Sequence, residues 1–162
     1  MNIILIAAVD KNGAIGKDGE IPWYVQEDLK FFKAETKNHA IIMGRKTWES
    51  LPVKPLGGRL NCVISRNSIT GADASCKSIQ DGIKACIDAG YKTIYGIGGY
   101  SIYKEMIDIA NELVLTEVEM EVKDPDTYFP EFNRDEWKEI ESRVIRKDRP
   151  FCRLSRMIRK RV

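Results

Sequence analysis

Short apolar runs rich in β-branched side chains alternate along this chain with amphipathic stretches, and that alternation constrains the fold more than any other feature. Residues 2–9 are apolar, and the run stops at Asp10, the pattern of a strand buried on both faces. Residues 39–44, 60–65, 93–97 and 112–118 read the same way. Between them, 25–36, 46–51, 78–89 and 100–107 read as helices, with Ser78 a suitable N-cap. Residues 137–146 and 151–158 read as a closing pair of strands joined by a short turn over 147–150. The βαβα order predicts an α/β fold with a mostly parallel central sheet, helices on both faces and an antiparallel C-terminal edge strand. In open sheets of this kind ligands bind beyond the carboxyl ends of the strands. The segments after Val9, Gly44, Ser65, Ile97 and Val118 are therefore where a site is expected.

A chain of 162 residues suits one core, so a single domain spanning 1–162 is expected. With 43% hydrophobic residues and a net charge of +2, it lacks the composition of a disordered chain. No run is long enough to span a bilayer, and the apolar start carries no basic leader, which predicts a cytoplasmic protein. Cys62, Cys76, Cys86 and Cys152 form no CxxC pair and His39 stands alone, so no metal site is predicted and the thiols are expected to be reduced and mostly buried. From residue 146 onward, Arg146, Lys147, Arg149, Arg153, Arg156, Arg159, Lys160 and Arg161 face a single acid, Asp148. A nucleic-acid stripe is one reading of that run, and a solvated basic face on a terminal strand is the favoured one.

Asp28 is the most informative single residue. On a helix it shares a face with Val25, Leu29 and Phe32, so a carboxylate falls within the stripe that should pack inward. Such an acid is either a paired structural group or one that meets a ligand with several donors. Upstream, Ile15-Gly16-Lys17-Asp18-Gly19-Glu20-Ile21-Pro22-Trp23 makes a loop that is either a lid or an ordinary connection.

Two constellations suit anions. Gly44 ends a strand, and Arg45, Lys46 and Thr47 open the next helix, where unpaired N–H groups and cations together favour a phosphate. Gly98-Gly99-Tyr100-Ser101 likewise joins a strand to a helix, with glycines that let backbone approach a diphosphate. Two cradles on neighbouring strand ends suggest one long dinucleotide. Ser65-Arg66 closes another strand and is either a surface turn or the grip for an extra phosphate, such as the one that distinguishes NADP from NAD.

Taken in order and spacing, Ile21-Pro22-Trp23, Asp28-Leu29-Lys30-Phe31-Phe32-Lys33, the run from Ile42 to Leu51, Ile97-Gly98-Gly99 and Asp126-Thr127-Tyr128-Phe129-Pro130 resemble bacterial dihydrofolate reductases over nearly the whole chain. The resemblance implies NADPH as cofactor and dihydrofolate as substrate; nothing in the sequence demands a second subunit, so a monomer is expected, with no nucleic-acid or membrane partner. It implies that Asp28 binds the pterin's 2-amino group and N3, supported by Thr116, with Trp23 and Tyr103 beside the reacting rings. Ile6, Ala8 and Ile97 would border the pterin. Leu29, Phe32 and Leu51 would wall the pocket, and Arg59 would clamp the substrate's glutamate carboxylate. Ala8, Ile15, Gly16, Gly44, Arg45, Lys46, Thr47, Ser65, Arg66, Ile97, Gly98, Gly99, Tyr100, Ser101 and Tyr103 would hold the cofactor, with a cis Gly98–Gly99 bond. The basic Arg153 and Arg156, the short turn at 147–150 and the tyrosine at position 100 depart from the bacterial pattern.

Overall fold

Eight strands form one sheet in the order β5-β4-β3-β6-β1-β7-β10-β9, in a computed structural model that describes residues 1–16 and 24–160. The parallel part is built from β1 (Asn2–Val9), β3 (Ala40–Gly44), β4 (Leu60–Ile64), β5 (Ala74–Cys76), β6 (Thr93–Gly96) and β7 (Glu112–Val118). β10 (Cys152–Arg159) runs antiparallel to β7 and to β9 (Trp137–Arg146). The antiparallel edge is thus two strands deep, and the last strand in sequence lies inside β9. β2 (Ala14–Gly16) and β8 (Thr127–Tyr128) form a separate small pair.

Alternation along β1 divides the core. Ile3, Leu5 and Val9 face one layer, with Ile79 and Cys86 of α3 (Ile79–Asp88) and Ile102, Tyr103 and Met106 of α4 (Tyr100–Met106). Ile4 and Ile6 face the other, with Phe31 and Phe32 of α1 (Gln26–Thr36) and Trp48 of α2 (Arg45–Ser50). Helices therefore cover both faces, as the alternation predicts. Ser78 caps α3 by accepting the Asp81 N–H at 3.1 Å.

Cys62, Cys86 and Cys152 are buried free thiols, and Cys76 is half-buried. No helix among the described residues is long and apolar enough to cross a membrane. Among the described residues, no three His, Cys, Asp or Glu side chains gather as a metal site.

The basic C-terminal run differs from the expected solvated face. Arg153 pairs with Glu117 at 2.8 Å, and Arg156 reaches Glu35 and Glu112 at 2.8 Å each and Glu141 at 3.3 Å. Arg159 pairs with Glu136 at 3.5 Å and lies over the Trp137 ring at 4.4 Å. Strand pairing and helix packing bring these acids from distant parts of the chain, so the local sequence does not reveal them.

Candidate active site

Because β1, β3, β4, β6 and β7 are parallel, their carboxyl ends share one border of the sheet. Asp28 overlooks that border from the first turn of α1, which has no side-chain cap. Its neighbours from the sheet are Thr116, whose hydroxyl donates to the carboxylate, and the buried thiol of Cys152. Burial pushes the Asp28 carboxyl above the ordinary aspartate range, and the Thr116 hydrogen bond only partly opposes this. No cation among the described residues pairs with it, so of the two readings of the sequence the geometry favours an acid left for a ligand.

On α4, the Tyr103 hydroxyl donates to the Ile6 carbonyl at 2.8 Å. Burial pushes this phenol up, and the nearby Asp28 charge adds to the effect. Ile97 follows β6, half-buried, with its N–H on the Ile42 carbonyl at 3.0 Å. Ala8 is half-buried on β1, opposite Thr116. Phe32 and Leu51 pack against the sheet, half-buried. Leu29 does not join them and is 46% exposed, because the inward face of α1 is taken by Val25, Asp28, Phe31 and Phe32. An apolar side chain left uncovered beside the crevice suits a ligand wall.

Arg59 is anchored without an acid. Its Nη1 donates to the Thr36 hydroxyl at 3.1 Å, its Nε donates to the Gly57 carbonyl at 3.0 Å, and it lies over the Phe32 ring at 5.8 Å. Among the described residues it has no carboxylate partner, and burial lowers its pKa. This leaves a guanidinium edge for an incoming carboxylate.

The two glycine-bearing turns lie side by side, with the Gly44 N–H on the Gly98 carbonyl at 2.9 Å. Gly98 has φ +118 and the Gly98–Gly99 bond is cis. Added side chains would crowd the cradle: a Cβ on Gly98 would meet the Tyr103 ring at 3.3 Å, and one on Gly99 would lie 3.8 Å from the Thr47 hydroxyl. Neither α2 nor α4 has a side-chain cap, in contrast to α3. Their first N–H groups thus remain available to an anion. Arg45 is partly engaged by Glu49 at 2.9 Å, whereas Lys46 and Arg66 have no ion pair among the described residues. Ser65 and Arg66 follow β4 on the same border, with the Ser65 N–H on the Cys76 carbonyl at 2.9 Å, and Tyr100 and Ser101 are exposed at the start of α4. This donor set fits a phosphorylated dinucleotide.

The family model for dihydrofolate reductase matches residues 2–156. The chain belongs to the dihydrofolate reductase family. It is 44% identical over 144 residues to a dihydrofolate reductase of Neisseria meningitidis, covering 87% of this chain and 86% of that one. It is 49% identical over 140 residues to a dihydrofolate reductase of Buchnera aphidicola, covering 82% of this chain and 81% of that one. A solved dihydrofolate reductase from Enterococcus faecalis, complexed with NADP(H) and RAB-propyl, superposes with a TM-score of 0.86 at 28% identity. That match covers 99% of this chain and 97% of the other. Membership of this family makes the chain an oxidoreductase.

Of the expected site residues, Trp23 lies outside the described residues, as does most of the predicted lid. Ile15 and Gly16 are described: they belong to β2, and the Gly16 carbonyl accepts from the Asp126 N–H at 3.2 Å. Sequence reasoning missed Asp10, whose carboxylate accepts from the N–H groups of Asn12, Ala14 and Val122 at 2.8, 2.8 and 2.9 Å. An acid ending an apolar strand reads as a surface stop, and its partner at residue 122 is too distant to signal otherwise.

Proposed function

We propose that this reductase carries out the NADPH-dependent reduction of 7,8-dihydrofolate to 5,6,7,8-tetrahydrofolate, supplying one-carbon metabolism and nucleotide synthesis. It would act as a cytoplasmic monomer, and one domain spanning 1–162 is supported by a sheet that links β1 to β10. The observation that carries the proposal is Asp28: an acid with no cation partner among the described residues, held by a Thr116 hydroxyl at the border of the sheet where the uncapped helices α2 and α4 begin.

When bound, NADPH supplies the hydride that reduces pterin C6. Gly98, Gly99, Tyr100 and Ser101 would receive its diphosphate. Lys46, Thr47, Ser65 and Arg66 would hold its further phosphate, with Arg45 contributing beside Glu49. Ala8, Ile15, Gly16, Gly44, Ile97 and Tyr103 would border its remainder.

Asp28 would accept hydrogen bonds from the pterin's 2-amino group and N3, with Thr116 orienting the carboxylate. Ile6 and Ile97 would present backbone carbonyls to the ring. Leu29, Phe32 and Leu51 would shield the ring from water, and Arg59 would grip the glutamate tail. The reaction consumes a proton at N5. Asp28, whose carboxyl burial pushes above the ordinary aspartate range, is the group through which that proton enters, and a water carries it to N5.

The test is NADPH oxidation with dihydrofolate in the wild type and in Asp28→Asn. The variant is expected to fold and bind NADPH but to lose about a hundredfold or more of its rate at neutral pH. Undiminished turnover would remove Asp28 from the mechanism.

A further inference from the structure

Asp28 has an acidic neighbour. Glu27 precedes it in the first turn of α1; left unpaired, that carboxylate would repel the first, yet with Arg146 bound to it the Asp28 carboxyl answers to burial and Thr116 alone. Arg146, at the carboxyl end of β9, meets this extra acid. Its Nη1 lies 3.0 and 2.9 Å from the two Glu27 oxygens, and its Nη2 donates to the Arg149 carbonyl at 2.9 Å. The Arg146 Nε is buried and has no partner among the described residues. The guanidinium is therefore held by Glu27 and one backbone carbonyl. Cys152, paired with Arg146 across the β9–β10 ladder, feels the charges of Asp28, Arg146 and Glu27. The ion pair and the proposed catalytic acid thus share one neighbourhood. Val25, just before α1, is buried against Val118 and Cys152 in the same corner.

We infer that Arg146 is a positioning residue for the reduction: through Glu27 it pins the start of α1 to β9 and cancels the charge that Glu27 would bring to Asp28. The inference rests on the reading of Asp28 given above. The geometry favours it over an incidental surface pair because the arginine side chain is only 25% exposed, its Nε is buried, and both carboxylate oxygens are engaged. Glu27 itself is held below the ordinary glutamate range, first by its own backbone N–H at the helix start; burial opposes this, and the hydrogen bond and charge of Arg146 add to the lowering.

The groups around Asp28 define the expected electrostatics. Thr116 faces it from β7, Tyr103 from α4 and Cys152 from β10, while Arg146 reaches it from β9 through Glu27. On α1 itself the charges are Glu27 and Lys30. Burial pushes both Tyr103 and Cys152 upward, so they stay neutral over the working range. Among the described residues, Glu27, Arg146 and Lys30 are left as the nearby charges.

The experiment measures single-turnover hydride transfer from NADPH to dihydrofolate between about pH 5 and pH 9. It compares the wild type with Arg146→Gln, Glu27→Gln, the double variant and Asp28→Asn. Because the reaction takes up a proton, the rate falls as pH rises through the titration of the acid that serves it. Arg146→Gln exposes the Glu27 charge and should move the midpoint up by about half a pH unit, and Glu27→Gln should move it down by about as much. The double variant should return to the wild-type midpoint. Glu27→Gln changes a half-buried side chain at the helix start and keeps the test open if Arg146→Gln folds poorly. Rates lowered equally at every pH, with unmoved midpoints, would overturn the inference while an inactive Asp28→Asn left the reading of Asp28 standing. A fully active Asp28→Asn would overturn both.

Discussion

Replacing Thr116 with valine tests the polar contact beneath Asp28 with little disturbance of the sheet. Thr116 is 2% exposed in β7, between Ala8 on β1 and Leu154 on β10, and valine suits a strand and nearly matches its volume. Its hydroxyl holds down an acid that burial pushes up. A hydrogen bond to a charged group contributes about 1.5–3 kcal/mol, and about 1.4 kcal/mol corresponds to one pH unit. The midpoint of the rate profile should therefore rise by about one pH unit in Thr116→Val. Stability should follow the same linkage. A group whose folded pKa is raised contributes stability that is complete below its unfolded value and is lost as pH rises through the folded value. The valine variant widens that gap, so it should lose about 1.5 kcal/mol more at pH 8 than at about pH 3, below the unfolded aspartate value. Urea unfolding at the two pH values, together with the rate profile, reads both effects. Equal destabilisation at the two pH values with an unshifted profile would refute the reasoning.

Ser65→Ala with Arg66→Gln should raise the KM for NADPH about tenfold or more while leaving that for NADH unchanged; equal effects on both would place the extra phosphate elsewhere. Arg156→Met should cost about 2 kcal/mol at neutral pH, between the surface and buried limits for an ion pair. Burial raises the Glu35 carboxyl, but hydrogen bonds from Arg156 and Tyr95 outweigh it and leave the group depressed. A depressed acid contributes stability above its unfolded value that is lost as pH falls through the folded one. The deficit should thus shrink toward pH 4, and a melting-temperature deficit constant across that range would contradict the proposed network.

The parallel sheet was legible because a buried strand such as Asn2–Val9 is apolar at nearly every position and β-branched enough to argue against a helix. The short strands β2, β5 and β8 were not, since two or three residues carry no measurable period. Asp28 betrayed itself as a charge on an apolar stripe. Thr116 did not, because a threonine in a strand is ordinary, and only the family resemblance drew attention to it. The contacts that organise the site were harder still. Tyr103 and Ile6 stand 97 residues apart, and Arg146 and Glu27 stand 119 apart. Leu29 was placed on the right helix but with too little exposure. The stripe that seemed to include it has room on the sheet for Phe31 and Phe32, not for all three.

The position of β10 inside β9 also affects how one molecule meets another. The outer border at that end carries the exposed Lys138, Glu139 and Arg143, and its ladder to β10 is broken by two register shifts. The opposite border is β5, only three residues long. A growing cross-β assembly needs a long, flat and uncharged template. Neither flank of this sheet offers one, so crowded chains have little opportunity to zip together edge to edge.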